Sequence, residues 1–104
     1  METLARLEQT IRDRRAASAD ASYVASLFAR GLPTIARKLG EEGVETVIAA
    51  LSGSREELVG EAADVLFHLM VLLNAKDIPL SAVLGELERR EGVSGLAEKA
   101  SRSA

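Results

Sequence analysis

The chain has no cysteine and only one histidine, His68, among its 104 residues. Disulfide bonds, thiolate metal sites and a zinc site made of several histidines from one chain are therefore excluded. Only Tyr23, Phe28 and Phe67 are aromatic, so aliphatic side chains must fill the core. An excess of positive charge is missing as well. The formal net charge is −3, which argues against a general nucleic-acid binder.

Long hydrophobic runs are also absent. The longest apolar stretch, residues 65–73, is interrupted by His68 and is far too short to span a bilayer. The first residues lack the charged-then-apolar pattern of a secretion signal, so we expect a cytoplasmic protein that does not contact a membrane. A hydrophobic content of 47% with 28% charged residues is typical of a globular chain. We expect residues 1–104 to form a single domain.

Apolar side chains recur every three or four residues along the chain, which predicts an all-α fold. Ser22 is suited to the N-cap of a short helix, and Gly31 is suited to end it. Pro33 fits the first turn of the next helix. Ser54 and Glu57 have the spacing of a capping box at the start of another. We expect about five helices, near residues 2–15, 23–30, 33–51, 55–75 and 80–91, with a tail that is irregular or a short helix.

The third of these helices carries its only substantial polar stripe on an otherwise apolar surface. At about 100° per residue, Lys38, Glu42 and Glu45 fall within about 60° of one another. Glu41 lies at one edge of the same stripe. A surface helix normally turns one broad polar face to water, so a narrow acidic stripe indicates a groove or a neighbouring helix.

The fourth helix is apolar in nearly every direction, which is typical of a helix buried in a bundle. Its polar stripe contains Glu61 and Asp64, spaced three residues apart like Glu42 and Glu45. The short link makes the two helices antiparallel neighbours, so the two carboxylate pairs can meet across one groove. Crowded carboxylates repel, and either raised pKa values or a hard divalent cation such as Mg²⁺ or Mn²⁺ relieves the repulsion. Because Mg²⁺ often binds few protein ligands together with substrate phosphates, the arrangement suits phosphate-anhydride chemistry.

Simpler interpretations of these residues stay open. Acidic helix stretches are most often solvated surfaces, and Lys38 can form an ordinary ion pair with Glu42 one turn away. His68 is more often a core histidine, or a residue that supports a ligand, than a metal ligand itself. A non-catalytic helical dimerisation module would explain the same helices. A di-iron bundle is disfavoured because it uses Glu-x-x-His pairs, whereas Val65 precedes His68 by three residues.

The acidic motifs resemble those of a known superfamily. Residues 41–45 (Glu-Glu-Gly-Val-Glu) and 61–64 (Glu-Ala-Ala-Asp) are similar to the Glu-Glu-x-x-Glu and Glu-x-x-Asp signature of the all-α nucleoside triphosphate pyrophosphatases. This group includes MazG-like proteins and dimeric dUTPases. Further segments resemble one member of it, the phosphoribosyl-ATP pyrophosphatase family of histidine biosynthesis: residues 22–27, 38–42, 64–69 and 88–96, with Lys99 and Arg102.

This resemblance implies hydrolysis of the α–β phosphoanhydride of N1-(5-phosphoribosyl)-ATP to phosphoribosyl-AMP and pyrophosphate. A house-cleaning pyrophosphatase of the MazG or dUTPase type, acting on other nucleotides, is the alternative. The resemblance also implies a homodimer, in which a second copy completes an antiparallel helical bundle. The apolar fourth helix independently favours association, because one chain of short helices leaves part of it uncovered.

The resemblance further implies a role for each site residue. The expected ligands of Mg²⁺, direct or through water, are Glu42, Glu45, Glu61 and Asp64. Glu41 is expected to orient or deprotonate the attacking water, and His68 is expected to support the ligands. The expected substrate-binding residues are Lys38, Tyr23, Arg89, Lys99 and Arg102.

Overall fold

A computed structural model describes residues 2–91 and residue 99 of the chain. Over residues 2–91 it consists of five α-helices and no strand, which confirms the predicted all-α class. The predicted helix boundaries agree with the structure to within about two residues. The predicted tail lies almost entirely outside the described residues. The helices are α1 (Glu2–Arg14), α2 (Tyr23–Arg30), α3 (Leu32–Ser52), α4 (Arg55–Ala75) and α5 (Leu80–Arg90).

Local capping interactions explain why the helices begin and end where they do. Ser22 Oγ accepts a hydrogen bond from the backbone N–H of Ala25 at 3.3 Å, at the start of α2. Gly31 separates α2 from α3 with a φ of 94°, a conformation that glycine adopts without strain. The capping box of α4 is complete. Glu57 N–H donates to Ser54 Oγ at 3.1 Å, and Ser54 N–H donates to Glu57 Oε1 at 3.2 Å.

The hydrophobic core lies at one end of the α3–α4 pair. It is formed by α1, α2, the start of α3, the second half of α4 and the start of α5, and Ile11, Leu27 and Val71 are fully buried in it. The rest of α3 and the first half of α4 extend beyond this core as a helical hairpin. Their extensive mutual contact and the two-residue link between them make α3 and α4 antiparallel, as predicted.

The projecting hairpin leaves a large apolar surface uncovered in the single chain. Val44, Val47, Ile48 and Leu51 of α3 are between 57% and 83% exposed. Val59 and Leu66 of α4 are exposed as well. Contiguous apolar patches on a soluble chain usually mark an interaction surface. We refer to the six residues together as the hairpin patch.

Helix α4 is long and apolar enough, by length and composition alone, to cross a membrane. The shorter apolar run of residues 65–73 did not predict this property of the whole helix. The same property occurs in core helices of soluble proteins, and Met70 and Val71 of α4 belong to the core of this chain. A charge such as that of Asp64 costs about 3 kcal/mol in the middle of a bilayer. Helix α4 is therefore weak evidence for a membrane protein.

Candidate metal centre

Three carboxylates meet where α3 and α4 face each other. Glu42 and Glu45 project from adjacent turns of α3, and Glu61 projects from α4. One oxygen from each lies within 4.8 Å of those of the other two. The short link returns α4 along α3, and the packing of the two helices turns their acidic stripes toward each other. We refer to these three residues as the carboxylate cluster.

Asp64, the fourth predicted ligand, lies at the edge of the carboxylate cluster. It occupies the next turn of α4 after Glu61, and its residue is exposed. Its carboxylate is outside the group of oxygens within 4.8 Å. Its negative charge nevertheless contributes to the raised pKa values of Glu42 and Glu61. The structure thus brings three of the four acids into a compact group and places the fourth beside it.

The cluster is short of positive charge. Burial raises the pKa of Glu42, and a hydrogen bond shared with Glu45, together with repulsion from Glu45 and Asp64, raises it further. Burial likewise raises the pKa of Glu61, followed by a hydrogen bond with Glu45 and repulsion from the neighbouring acids. Both shifts mean that the neighbours disfavour the ionised form of these two carboxyls.

The same two side chains each have an oxygen that lacks a hydrogen-bond donor. The Oε2 atoms of Glu42 and Glu61 are shielded from solvent and have no partner. A buried acceptor without a donor is unfavourable and calls for an explanation. Carboxylate oxygens are the ligands that Mg²⁺ and Mn²⁺ prefer, so the donor set and its unpaired oxygens fit a hard divalent cation.

Glu41 and Lys38 lie together on the side of α3 next to the carboxylate cluster. Lys38 Nζ is 4.0 Å from Glu41 Oε1, and Arg37 Nε is 3.9 Å from the same oxygen. The alternative prediction of an ion pair between Lys38 and Glu42 was wrong, because Lys38 reaches the acid three residues ahead instead. Arg37 had no predicted role, since its charge is common on a helix surface. The two cations place positive charge beside the acidic groove.

His68 connects the backbone of Asp64, one turn earlier in α4, to Tyr23 of α2. Its ring is only 5% exposed, and its Nδ1 lies 2.8 Å from the backbone oxygen of Asp64. Its Nε2 lies 3.1 Å from Tyr23 Oη. The ring of Phe67 packs edge-on against His68 and is stacked with Tyr23, with centroid distances of 5.1 and 6.0 Å. His68 therefore uses both nitrogens within the protein, in keeping with a supporting residue.

Three of the predicted substrate-binding cations, Arg89, Lys99 and Arg102, belong to the C-terminal region. Arg89 of α5 forms two bonds of 2.8 Å to the Glu86 carboxylate, through Nε and Nη2. These bonds and those of Arg90 lower the pKa of Glu86 to about 2. Lys99 is exposed, and Arg102 lies outside the described residues. The structure thus shows Arg89 engaged by an acid of its own helix.

A small cavity extends the acidic groove toward the α3–α4 link. It was not predicted from the sequence, because it depends on how the two helices pack near their link. The one available signal was that Glu57 shares a helix face with Glu61. The cavity has a volume of about 210 Å³ and is lined by Glu45, Ile48, Ala49, Ser52, Gly53, Glu57 and Glu61.

Known proteins resemble this chain over nearly its whole length. Residues 4–91 match the family described as phosphoribosyl-ATP pyrophosphohydrolase. A protein of Novosphingobium aromaticivorans named phosphoribosyl-ATP pyrophosphatase is 70% identical over 98% of this chain and 95% of its own length. Relatives of the same name from Rhizorhabdus wittichii and Erythrobacter litoralis are each 65% identical. The first alignment covers 96% of this chain and 94% of that relative, and the second covers 98% of both. The chain belongs to the phosphoribosyl-ATP pyrophosphohydrolase family.

Proposed function

We propose that this protein hydrolyses the α–β phosphoanhydride of N1-(5-phosphoribosyl)-ATP. The products are pyrophosphate and phosphoribosyl-AMP, and the reaction is the second step of L-histidine biosynthesis. Family membership supports the substrate. The observation that carries the chemistry is the carboxylate cluster, whose members are the residues that the acidic motifs single out. Family membership alone is enough to identify the protein as a hydrolase that acts on a small nucleotide. We place the reaction in the cytoplasm, where a nucleotide substrate is available.

We propose that Glu42, Glu45 and Glu61, with Asp64 at the edge, hold Mg²⁺, directly or through water, and that Mn²⁺ can replace it. The bound ion would neutralise the negative charge of the triphosphate and the charge that develops as the anhydride breaks. The unpaired Oε2 atoms of Glu42 and Glu61 support this proposal. The raised pKa values of the same carboxyls do so as well.

The remaining residues have proposed roles around the phosphates. Water attacks the α-phosphorus, and Glu41, next to the cluster in sequence, orients or deprotonates this water. Lys38 and Arg37 offer positive charge beside the groove, where they can bind phosphate oxygens. Tyr23 contacts the nucleoside part of the substrate. By resemblance alone, the other proposed phosphate ligands are Arg89, Lys99 and Arg102.

We propose that the working form is a homodimer. The hairpin patch exposes four large aliphatic residues of α3 beside the acidic groove, among them Leu51 at 83%. Burying them against a second copy would remove apolar surface from water, at about 25 cal/mol per Å². The carboxylate cluster would then lie close to the interface. Sedimentation at micromolar concentration should give twice the chain mass of 11.1 kDa, and a clean monomer would contradict the proposal.

A substrate panel tests the activity. Phosphoribosyl-ATP, dUTP and dATP are each incubated with the protein and Mg²⁺, and pyrophosphate release is measured with and without EDTA. We expect phosphoribosyl-ATP to be hydrolysed fastest and EDTA to stop the reaction. Faster hydrolysis of dUTP or dATP would instead support the house-cleaning pyrophosphatase.

A pair of variants separates catalysis from a purely structural role of the acids. Glu61→Gln should lose nearly all activity, because it removes one carboxylate of the cluster. Glu56→Gln is the matched control, since Glu56 is an exposed acid in the first turn of the same helix. If both variants kept the wild-type rate, the carboxylate cluster would not be the catalytic site. If the wild-type protein hydrolysed none of the nucleotides, a non-catalytic dimerisation module would be the better account.

A further inference from the structure

An open recess borders the carboxylate cluster on a neighbouring face of α3. Its volume is about 600 Å³, and it is lined by Arg37, Gly40, Glu41, Val44 and Glu45. These positions are three or four residues apart, so they share one side of the helix. A Cβ at Gly40 would enter open space, so the surface is low between Arg37 and Val44. The volume is in the usual range of a small-molecule site.

Glu45 belongs to the recess and to the carboxylate cluster at the same time. It lines the recess, and one of its oxygens lies within 4.8 Å of oxygens of Glu42 and Glu61. Arg37 borders the other end of the recess, eight residues earlier, which is about 12 Å along the helix axis. A ligand whose phosphates are held at the cluster can therefore extend over Gly40 as far as Arg37.

The charges at this end of the recess favour an anion. Arg37 and Lys38 lie 3.9 and 4.0 Å from the same oxygen of Glu41, so two cations face one carboxylate. Both distances are too long for a hydrogen bond, and Arg37 donates none within the part of the chain that the structure describes. A guanidinium carries five N–H donors and can bind a phosphate through two of them. The side chain of Arg37 is 63% exposed and so is accessible to a ligand.

The two cations occupy different sides of α3, because successive residues of a helix are about 100° apart. Lys38 shares the acidic stripe of Glu42 and Glu45, where the triphosphate would meet the proposed metal ion. Arg37 instead shares the side of Gly40, along the recess. The two side chains can therefore bind different phosphates of one ligand.

The substrate of the proposed function carries phosphates at both ends, a triphosphate on one ribose and a single 5-phosphate on the other. We propose that the recess holds the nucleoside part between these ends and that Arg37 binds the 5-phosphate of the phosphoribosyl group. Ordinary nucleoside triphosphates lack this phosphate, so Arg37 is a specificity-determining residue. A glycine inside a helix is unfavourable compared with alanine, and a ligand lying on α3 explains why Gly40 leaves its surface open. The inference rests on the proposed function.

Kinetics test the contact between Arg37 and the substrate. In Arg37→Gln we expect KM for phosphoribosyl-ATP to rise about tenfold with kcat within about twofold, because a charged hydrogen bond is lost away from the reacting atoms. Arg37→Lys keeps the charge and should recover part of the affinity. The matched control is Arg6→Gln, since Arg6 is 66% exposed and lies 3.7 Å from Glu2 in a pair of the same spacing. An unchanged KM in Arg37→Gln, or an equal rise in Arg6→Gln, would overturn the inference.

Inhibition by two nucleotides identifies the phosphate that Arg37 binds. Phosphoribosyl-AMP and AMP differ only by the phosphoribosyl group. In Arg37→Gln the inhibition constant of phosphoribosyl-AMP should rise about tenfold, whereas that of AMP should stay within about twofold of the wild-type value. If both constants rose equally, Arg37 would bind the part that the two nucleotides share, and the inference would be wrong.

Filling the recess tests where the nucleoside lies. Gly40→Leu should raise KM for phosphoribosyl-ATP several-fold. Gly85→Leu is the matched control, because Gly85 is an equally open glycine inside α5, and its constants should match the wild type. If Gly40→Leu changed the mass found in sedimentation and left KM unchanged, a second copy would occupy the recess, which would overturn the inference. A wild-type protein inactive on phosphoribosyl-ATP refutes the proposed function as well, whereas an active one with an unaffected Arg37→Gln refutes this inference alone.

Discussion

Replacing Glu42 by glutamine should stabilise the metal-free protein while weakening its response to Mg²⁺. Glu42 lies within 4.8 Å of two other carboxylates, and its pKa is raised by burial, by a hydrogen bond with Glu45 and by repulsion. Glutamine keeps the shape and removes the charge. A residue that only stabilised the fold would give the opposite sign, because the substitution would then remove a favourable interaction.

The size of the effect follows from the distances. Two unit charges about 4.8 Å apart repel by roughly 1 kcal/mol in a water-like medium. Glu42 is partly exposed, so solvent screens this repulsion and keeps it near the value in water. With this screening, the gain from Glu42→Gln at pH 7.5 should be about 1 kcal/mol. For a domain of this size that raises Tm by about 4–8 °C.

The assay is thermal unfolding at one fixed protein concentration, with EDTA or with Mg²⁺. Wild-type protein should gain about 1.4 kcal/mol when Mg²⁺ is present at about ten times its dissociation constant. Glu42→Gln should gain much less. Glu56→Gln is the control for a general change of charge and should respond to Mg²⁺ like the wild type. If Glu42→Gln melts below the wild type in EDTA, the carboxylates of the cluster do not repel one another. They would then not require a cation at this site.

Three further predictions concern pH, assembly and helix capping. The pKa values of Glu42 and Glu61 are raised above their ordinary value of 4.5. Their contribution to stability is therefore complete below that pH and is lost as the pH rises through the higher values of the folded state. Metal-free Tm should accordingly fall as the pH rises above 4.5, and a flat profile would contradict the shifts. Leu51→Glu should turn the proposed dimer into a monomer of about 11.1 kDa in sedimentation, whereas an intact dimer would exclude the hairpin patch as the interface. Ser54→Ala removes the bond from Glu57 N–H and should lower the free energy of unfolding by about 1 kcal/mol in urea titration. An unchanged free energy of unfolding in Ser54→Ala would mean that water replaces the hydrogen bond of the cap.

Much of this fold could be predicted from the sequence because its signals are local. The Ser54 and Glu57 capping box, the glycine at position 31 and the three- and four-residue spacing of apolar side chains all act within one or two helical turns. The same spacing placed Glu42 and Glu45 on one face of α3. The two-residue link then required α4 to return along α3, so the meeting of acidic stripes was predictable as well.

The details of the site depended on how the helices rotate and pack against one another, which no local pattern specifies. Only the tertiary structure placed Glu61 in the carboxylate cluster and Asp64 at its edge. It also directed Lys38 to Glu41 rather than to Glu42. The hydrogen bond between Tyr23 and His68 joins residues 45 positions apart, and it exists because α2 and α4 contribute to the same core. Local chemistry therefore determined the helices and their acids, whereas long-range packing decided which side chains touch.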